Sequence, residues 1–142
     1  LHRFRDYDDR REMNERIFEF RASGDNRDGL AVKAACDSIL ERSEVHKILI
    51  LLSDGKPCDI SIRRPGLKRP ADYTGDAAVK DTAFEVRRAR ALGISVFGIF
   101  AGSYEDTPAE KRIFGKDFAY IRDISNFSQI VGAYLRRQLE EE

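Results

Sequence analysis

The chain has 142 residues, with 25 Lys and Arg against 25 Asp and Glu, and is 42% apolar and 35% charged. That length suits one domain with a core. The zero net charge argues against a nucleic-acid module, which needs a basic excess to displace counterions, and no apolar run approaches the ~20 residues of a membrane span.

Leu1–Arg5 alternates apolar and basic residues and reads as the end of a strand, as if the chain begins inside a fold. Asp8 and Asp9 open a helical stretch whose Met13, Ile17 and Phe20 share one face. Residues 23–26 break that pattern. A second helix is expected from Asp28 to Arg42, with Val32, Ala35, Ile39 and Leu40 inward. Ile48–Leu52 is an unbroken apolar run, the mark of a strand covered on both faces in a parallel sheet. It ends in Ser53-Asp54-Gly55. Residues 56–75 read as a long loop with three of the four prolines. A helix over Asp76–Leu92, stopped by Gly93, leads to a second buried strand, Ile94–Phe100. A short helix over Pro108–Phe114, a strand over Phe118–Ile121 and a final helix capped by Ser125 or Asn126 complete the order. Strands alternating with helices imply an α/β fold with a mostly parallel sheet flanked by helices.

In such sheets ligands sit beyond the carboxyl ends of the strands, so the turns after Leu52, Phe100 and Ile121 are the places to look. Asp54 ends the most apolar strand, where an anionic side chain calls for a cation, a helix N-terminus or a metal. The alternative is a plain turn aspartate, since Asp-Gly is a common turn pair. Gly24–Gly29 has the spacing of a phosphate loop, but Leu30 and Ala31 stand where Lys and Ser or Thr are required. No dinucleotide fingerprint and no nucleophile elbow occur. His2, His46, Cys36 and Cys58 lack partners at zinc spacing. Oxygen ligands would select Mg, Mn or Ca. The two cysteines form no disulfide framework, which suggests a reducing compartment. Arg63, Arg64, Lys68 and Arg69 make the long loop basic, either a docking surface for an acidic partner or an exposed insertion.

Ile48–Gly55 followed by Lys56-Pro57-Cys58-Asp59 resembles a segment of von Willebrand factor A (VWA) domains. It is most similar to those of the nitric oxide reductase activation protein (NorD) and cobaltochelatase CobT subunit families. Asn26-Arg27-Asp28-Gly29 resembles the family's loop before its third helix. Tyr73, Asp81-Thr82 and Arg87–Gly93 are similar to a NorD-type helix, and Arg112–Gly115 with Phe118–Tyr120 to a late strand. Together these segments cover nearly the whole chain.

The resemblance implies a three-layer, Rossmann-like fold and a single VWA-type domain over residues 1–142. It also implies that the first strand–helix–strand is missing, so that the chain is a fragment with an open sheet edge. The family's Asp-x-Ser-x-Ser segment has no match. Asp54 matches the late aspartate of the family's metal-ion-dependent adhesion site (MIDAS). Asn26 falls at its threonine position, with Asp28 as a substitute ligand. A divalent cation (Mg, Mn or Ca) is thus implied for a complete domain, with weak or no binding expected here. The implied function is a non-catalytic interaction module working beside a MoxR-type AAA+ ATPase to activate or metal-load a target enzyme. A CobT-like chelatase subunit and a Rossmann-like small-molecule binder are the alternatives. A homodimer through the open sheet edge is a further expectation.

Overall fold

The computed structural model describes residues 2–21, 26–62 and 71–140. Its elements run α1 (Asp28–Leu40), β1 (Lys47–Ser53), β2 (Asp59–Ile62), β3 (Ala71–Tyr73), α2 (Gly75–Ala91), β4 (Ile94–Phe100), α3 (Thr107–Phe114), β5 (Phe118–Tyr120) and α4 (Phe127–Glu140), with a 3-10 helix at Arg11–Glu19 before them. The apolar runs become a parallel sheet in the order β1-β4-β5. This is the expected α/β architecture, a partial Rossmann-like sheet of the VWA type with helices on both faces.

Alternation of side chains along each strand sorts the apolar residues between the faces. Leu49, Leu51, Ile94 and Val96 join Val32, Cys36, Val79, Ala83, Val86, Ile113 and Phe114 from α1, α2 and α3. Ile48, Ile50, Phe97 and Ile99 meet α4, where Tyr134 stacks on Phe97 with ring centroids 4.1 Å apart. Each fully buried aliphatic or aromatic side chain contributes about 1.5–3 kcal/mol. Gly98 lies under the ring of Phe114, which occupies the space a Cβ would need. Gly93, at φ +83°, ends α2 in the left-handed region that glycine adopts without strain.

Several expectations are corrected. β4 is buried at every position but Ser95, while β1 is only half-buried and its Leu52 is 54% exposed, because among the described residues β1 pairs with β4 alone. Residues 2–5 form no strand. His2, Arg3 and Arg5 line, with α1, Ile48 and Leu49, an open groove of about 560 Å³ beside β1. The stretch after Asp9 is a 3-10 helix with no buried residue, so its apolar face meets no core. Leu40 turns out to solvent at 38% exposure. Within 56–75 the chain makes an antiparallel hairpin of β2 and β3. Arg63, Arg64, Lys68 and Arg69 lie outside the described residues. The turn before α4 is held by Asp123, which accepts the Ser125 backbone N–H at 2.9 Å; Ser125 and Asn126 form part of that turn. No helix among the described residues is long and apolar enough to cross a membrane.

Candidate functional site

The carboxyl ends of β1 and β4 and the N-termini of α1 and α3 gather the acidic residues. Ser53 closes the turn after β1: its hydroxyl donates to the Gly55 carbonyl at 2.8 Å, leaving the Asp54 side chain exposed. The loop after β4 presses against this turn. Ala101 N–H donates to the Ser53 carbonyl at 2.9 Å, and Gly102 has no room for a Cβ because the Asp54 carbonyl and the Phe100 ring fill that space. A side chain at position 102 would therefore push the Asp54 turn away.

Asp28 opens α1, where the helix dipole favours an anion. Asn26 donates its amide N–H to Asp28 Oδ1 at 2.8 Å, while its own Oδ1 accepts the Cys58 N–H at 3.4 Å. Two backbone bonds between Asn26 and Cys58, 2.8 and 3.1 Å, pin this loop to the start of the hairpin. Burial pushes the Asp28 carboxyl above the usual aspartate range, the Asn26 bond works against that rise, and the negative charge of Asp54 adds to it. All three sequence-predicted residues therefore share one edge, with Asp28 and Asp54 near enough to repel.

Residues that resemble family motifs elsewhere build the support beneath. Arg27 pairs with Asp59 and lies over the Tyr73 ring, 5.9 Å from its centroid. Tyr73, 2% exposed, donates its hydroxyl to Asp81 Oδ2 at 2.7 Å; burial raises this phenol to about 12. Gly29 admits the Asp81 carboxylate where a Cβ would stand. The hairpin, α2 and the first turn of α1 are thus clasped together under Asp28. Arg90, within the Arg87–Gly93 segment, donates to the carbonyls of Val96 and Phe114 at 2.9 and 2.8 Å and ties α2 to β4 and α3.

Two groups escape the sequence reading. Lys56 sets its ammonium 2.5 Å from Asp106 Oδ1, joining the β1 turn to the head of α3. Glu110 lies one turn along α3, is 1% exposed, and its Oε1 has no hydrogen-bond partner, nor has the buried Thr107 hydroxyl. Burial first, then the charges of Asp28 and Asp106, raise the Glu110 carboxyl to about 7. A signal for it exists: positions 110, 113 and 114 fall on one helix face, so Glu110 shares the face of the buried Ile113 and Phe114.

A hard cation takes six or more oxygens; Asp28 and Asp54 offer carboxylates and the Asn26 amide oxygen is turned to Cys58. Among the described residues no group of three or more His, Cys, Asp or Glu side chains is arranged to hold a metal ion. These side chains alone do not make a metal cage. Cys36 is buried in α1 and Cys58 is exposed, both as free thiols.

Residues 9–66, somewhat under half of the chain, match the model of the family described as the cobalamin biosynthesis protein CobT VWA domain. This match supports a VWA-type module. The matched stretch contains Asn26, Asp28 and Asp54, the residues the VWA resemblance singles out. Over 136 residues the chain is 26% identical to "Uncharacterized protein YojO" of Bacillus subtilis (strain 168), an alignment covering 93% of this chain and 19% of that protein. The chain thus spans about a fifth of the length of the curated relative it matches. No solved structure gives a significant match. Neither finding speaks to the NorD branch of VWA proteins.

Proposed function

We propose that the chain is a non-catalytic VWA-type interaction module that meets a protein partner at the carboxyl edge of its sheet. The observation that carries this reading is the convergence there of Asp54 after β1, Asp28 at the head of α1, Asp106 just before α3 and Glu110 on it. Such an edge is where open parallel sheets bind their ligands. It sits within a neutral chain, which favours a protein over a nucleic acid.

The NorD-like motifs around Tyr73, Asp81 and Arg90 support a MoxR-type AAA+ ATPase as that partner, acting on a target enzyme in the cytoplasm. The test is a binding titration between the purified protein and the MoxR-type ATPase of its own genome. Binding lost on Asp54→Asn supports the reading, and the absence of binding refutes it. The divalent cation implied for Asp54, Asn26 and Asp28 is not carried by those side chains alone. It is tested by whether Mn²⁺ broadens the amide resonances of residues 26–29 and 53–55 selectively. The CobT family match favours a second reading, a subunit of a cobalt chelatase. Cobalt insertion into a corrin ring that requires this protein beside a large chelatase subunit would support it over the first.

A further inference from the structure

We infer that the amino end of the sheet holds a binding site for a phosphate group, free or as a phosphomonoester, in a cavity of about 380 Å³ between α2, β4, the turn before β5 and α4. The cavity opens at the start of β4, about 20 Å along that strand from the end beside Asp54. It is separate from the docking edge and does not depend on it.

Positive charge is in excess there. Arg90, Lys116 and Arg137 line the cavity, and Asp117 is the one carboxylate among its described lining residues. Asp117 is shared by both guanidiniums: Arg137 Nη2 lies 3.1 Å from Oδ1 and Arg90 Nη2 3.4 Å from Oδ2. One negative charge therefore faces two positive ones. The Lys116 ammonium has no ion-pair or hydrogen-bond partner among the described residues. Three cations less one carboxylate leave the lining at +2, in a chain whose total is zero. A phosphomonoester carries about −1.5 to −2 at neutral pH, which matches that excess.

The donors are placed before any ligand arrives. Arg90 Nη2 donates to the carbonyls of Val96 and Phe114 at 2.9 and 2.8 Å, which fixes the guanidinium. Its Nε and Nη1 have no partner among the described residues. Arg137 is steadied over the Tyr134 ring, 5.3 Å from the centroid, and the neighbouring Gln138 adds an amide with no partner among the described residues. A guanidinium fork matches phosphate oxygens in pairs, and a fixed one loses little freedom on binding. The C-terminal end of α2 brings partial negative charge to the same place, so the affinity for inorganic phosphate is expected on the order of 1 mM. The volume is that of a small-ligand pocket, with room beside the phosphate for the organic part of an ester.

The test titrates sodium phosphate, glucose 6-phosphate and glucose into the ¹⁵N-labelled protein at pH 7.5, with ionic strength held constant by NaCl. Phosphate and glucose 6-phosphate should shift the amides of residues 94–96, 116–117 and 137–138 and leave residues 53–55 unmoved, and glucose should shift none. Tighter binding of the ester assigns the site to an organic phosphate; equal binding assigns it to the free ion. Lys116→Gln should weaken phosphate binding about threefold, and Lys116→Gln with Arg137→Gln about tenfold, as expected for exposed charge contacts. Asp117→Asn, which removes the competing carboxylate, should tighten binding several-fold, a gain that a damaged fold cannot produce. Shifts no larger than those NaCl alone causes, shifts centred on residues 53–55 instead, or equal affinities in wild type, Lys116→Gln and Asp117→Asn would each overturn the inference.

Discussion

Glu110→Gln should abolish most of a pH dependence of stability that the wild-type protein shows between pH 4.5 and 7. Glu110 is 1% exposed, its Oε1 is unpartnered, and its carboxyl is raised from 4.5 to about 7 by burial and by the charges of Asp28 and Asp106. In the unfolded chain it ionises near 4.5; in the folded protein it stays protonated to about 7. The folded state therefore binds the extra proton across that window, and stability falls as pH rises. Raising the carboxyl from 4.5 to about 7 corresponds to roughly 3 kcal/mol, a large share of a small domain's stability. Asp28, also raised by burial, acts in the same direction, so the readout is the difference between the two proteins. The carboxylates held low by hydrogen bonds and ion pairs, Asp6, Glu44, Asp76 and Asp123, are exposed and add stability that is lost only as pH falls through values below the window. Urea unfolding followed by circular dichroism from pH 4 to 8 measures this. Wild type should lose up to about 3 kcal/mol more than Glu110→Gln over the range. Any pH-independent cost of the buried amide cancels in the comparison. Parallel curves for the two proteins would refute the burial of an uncompensated carboxyl at this position.

Gly98→Ala places a methyl group into the Phe114 ring and should cost about 1–3 kcal/mol in urea unfolding. Tyr73→Phe removes the 2.7 Å bond to Asp81 and should cost about 1–2 kcal/mol, with amide shifts concentrated in the first turn of α1 if the clasp under Asp28 is real. Gly102→Ala should displace the turn at residues 53–55, seen as large amide shifts there, because its Cβ meets the Asp54 carbonyl and the Phe100 ring. Asp54→Asn should lower the Asp28 carboxyl pKa, followed by ¹³C titration, since the Asp54 charge is one of the causes that raise it. An Asp28 titration unchanged by that substitution would separate the two residues.

The strands and helices were legible where one physical signal dominates. The apolar runs at Ile48–Leu52 and Ile94–Phe100 can be satisfied only by burial in a sheet, and both are strands. The α2 pattern of Val79, Ala83 and Val86 is that of a packed helix, and all three are buried. Neighbour-dependent properties were not legible. An apolar run does not say whether its strand has one partner or two, and β1, read as covered on both faces, pairs with β4 alone among the described residues. The β2–β3 hairpin escaped because its strands have four and three residues and a proline-rich stretch separates them, so neither presents a period long enough to count. Met13, Ile17 and Phe20 have helical spacing, yet spacing cannot supply a core for them to meet, and none is buried.

The candidate site divides in the same way. Asp54 stood out in the sequence because a carboxylate stands just after an apolar run. Glu110 stood out less, because an acidic residue in the first turn of a helix is what the dipole favours at any surface, even though it shares a face with Ile113 and Phe114. Its burial first, then the approach of Asp28 from α1 and of Asp106, raises its carboxyl to about 7. The segments that carried the family resemblance most visibly, Tyr73 with Asp81 and the helix around Arg90, proved to hold elements together through a hydroxyl–carboxyl bond and a doubly donating guanidinium. They fix where the head of α1 and the end of β4 stand. A sequence motif at such positions reports the shape of the edge. The chemistry of the edge rests on Asp28, Asp54, Lys56, Asp106 and Glu110, of which the spacing of the motifs pointed only to the first two.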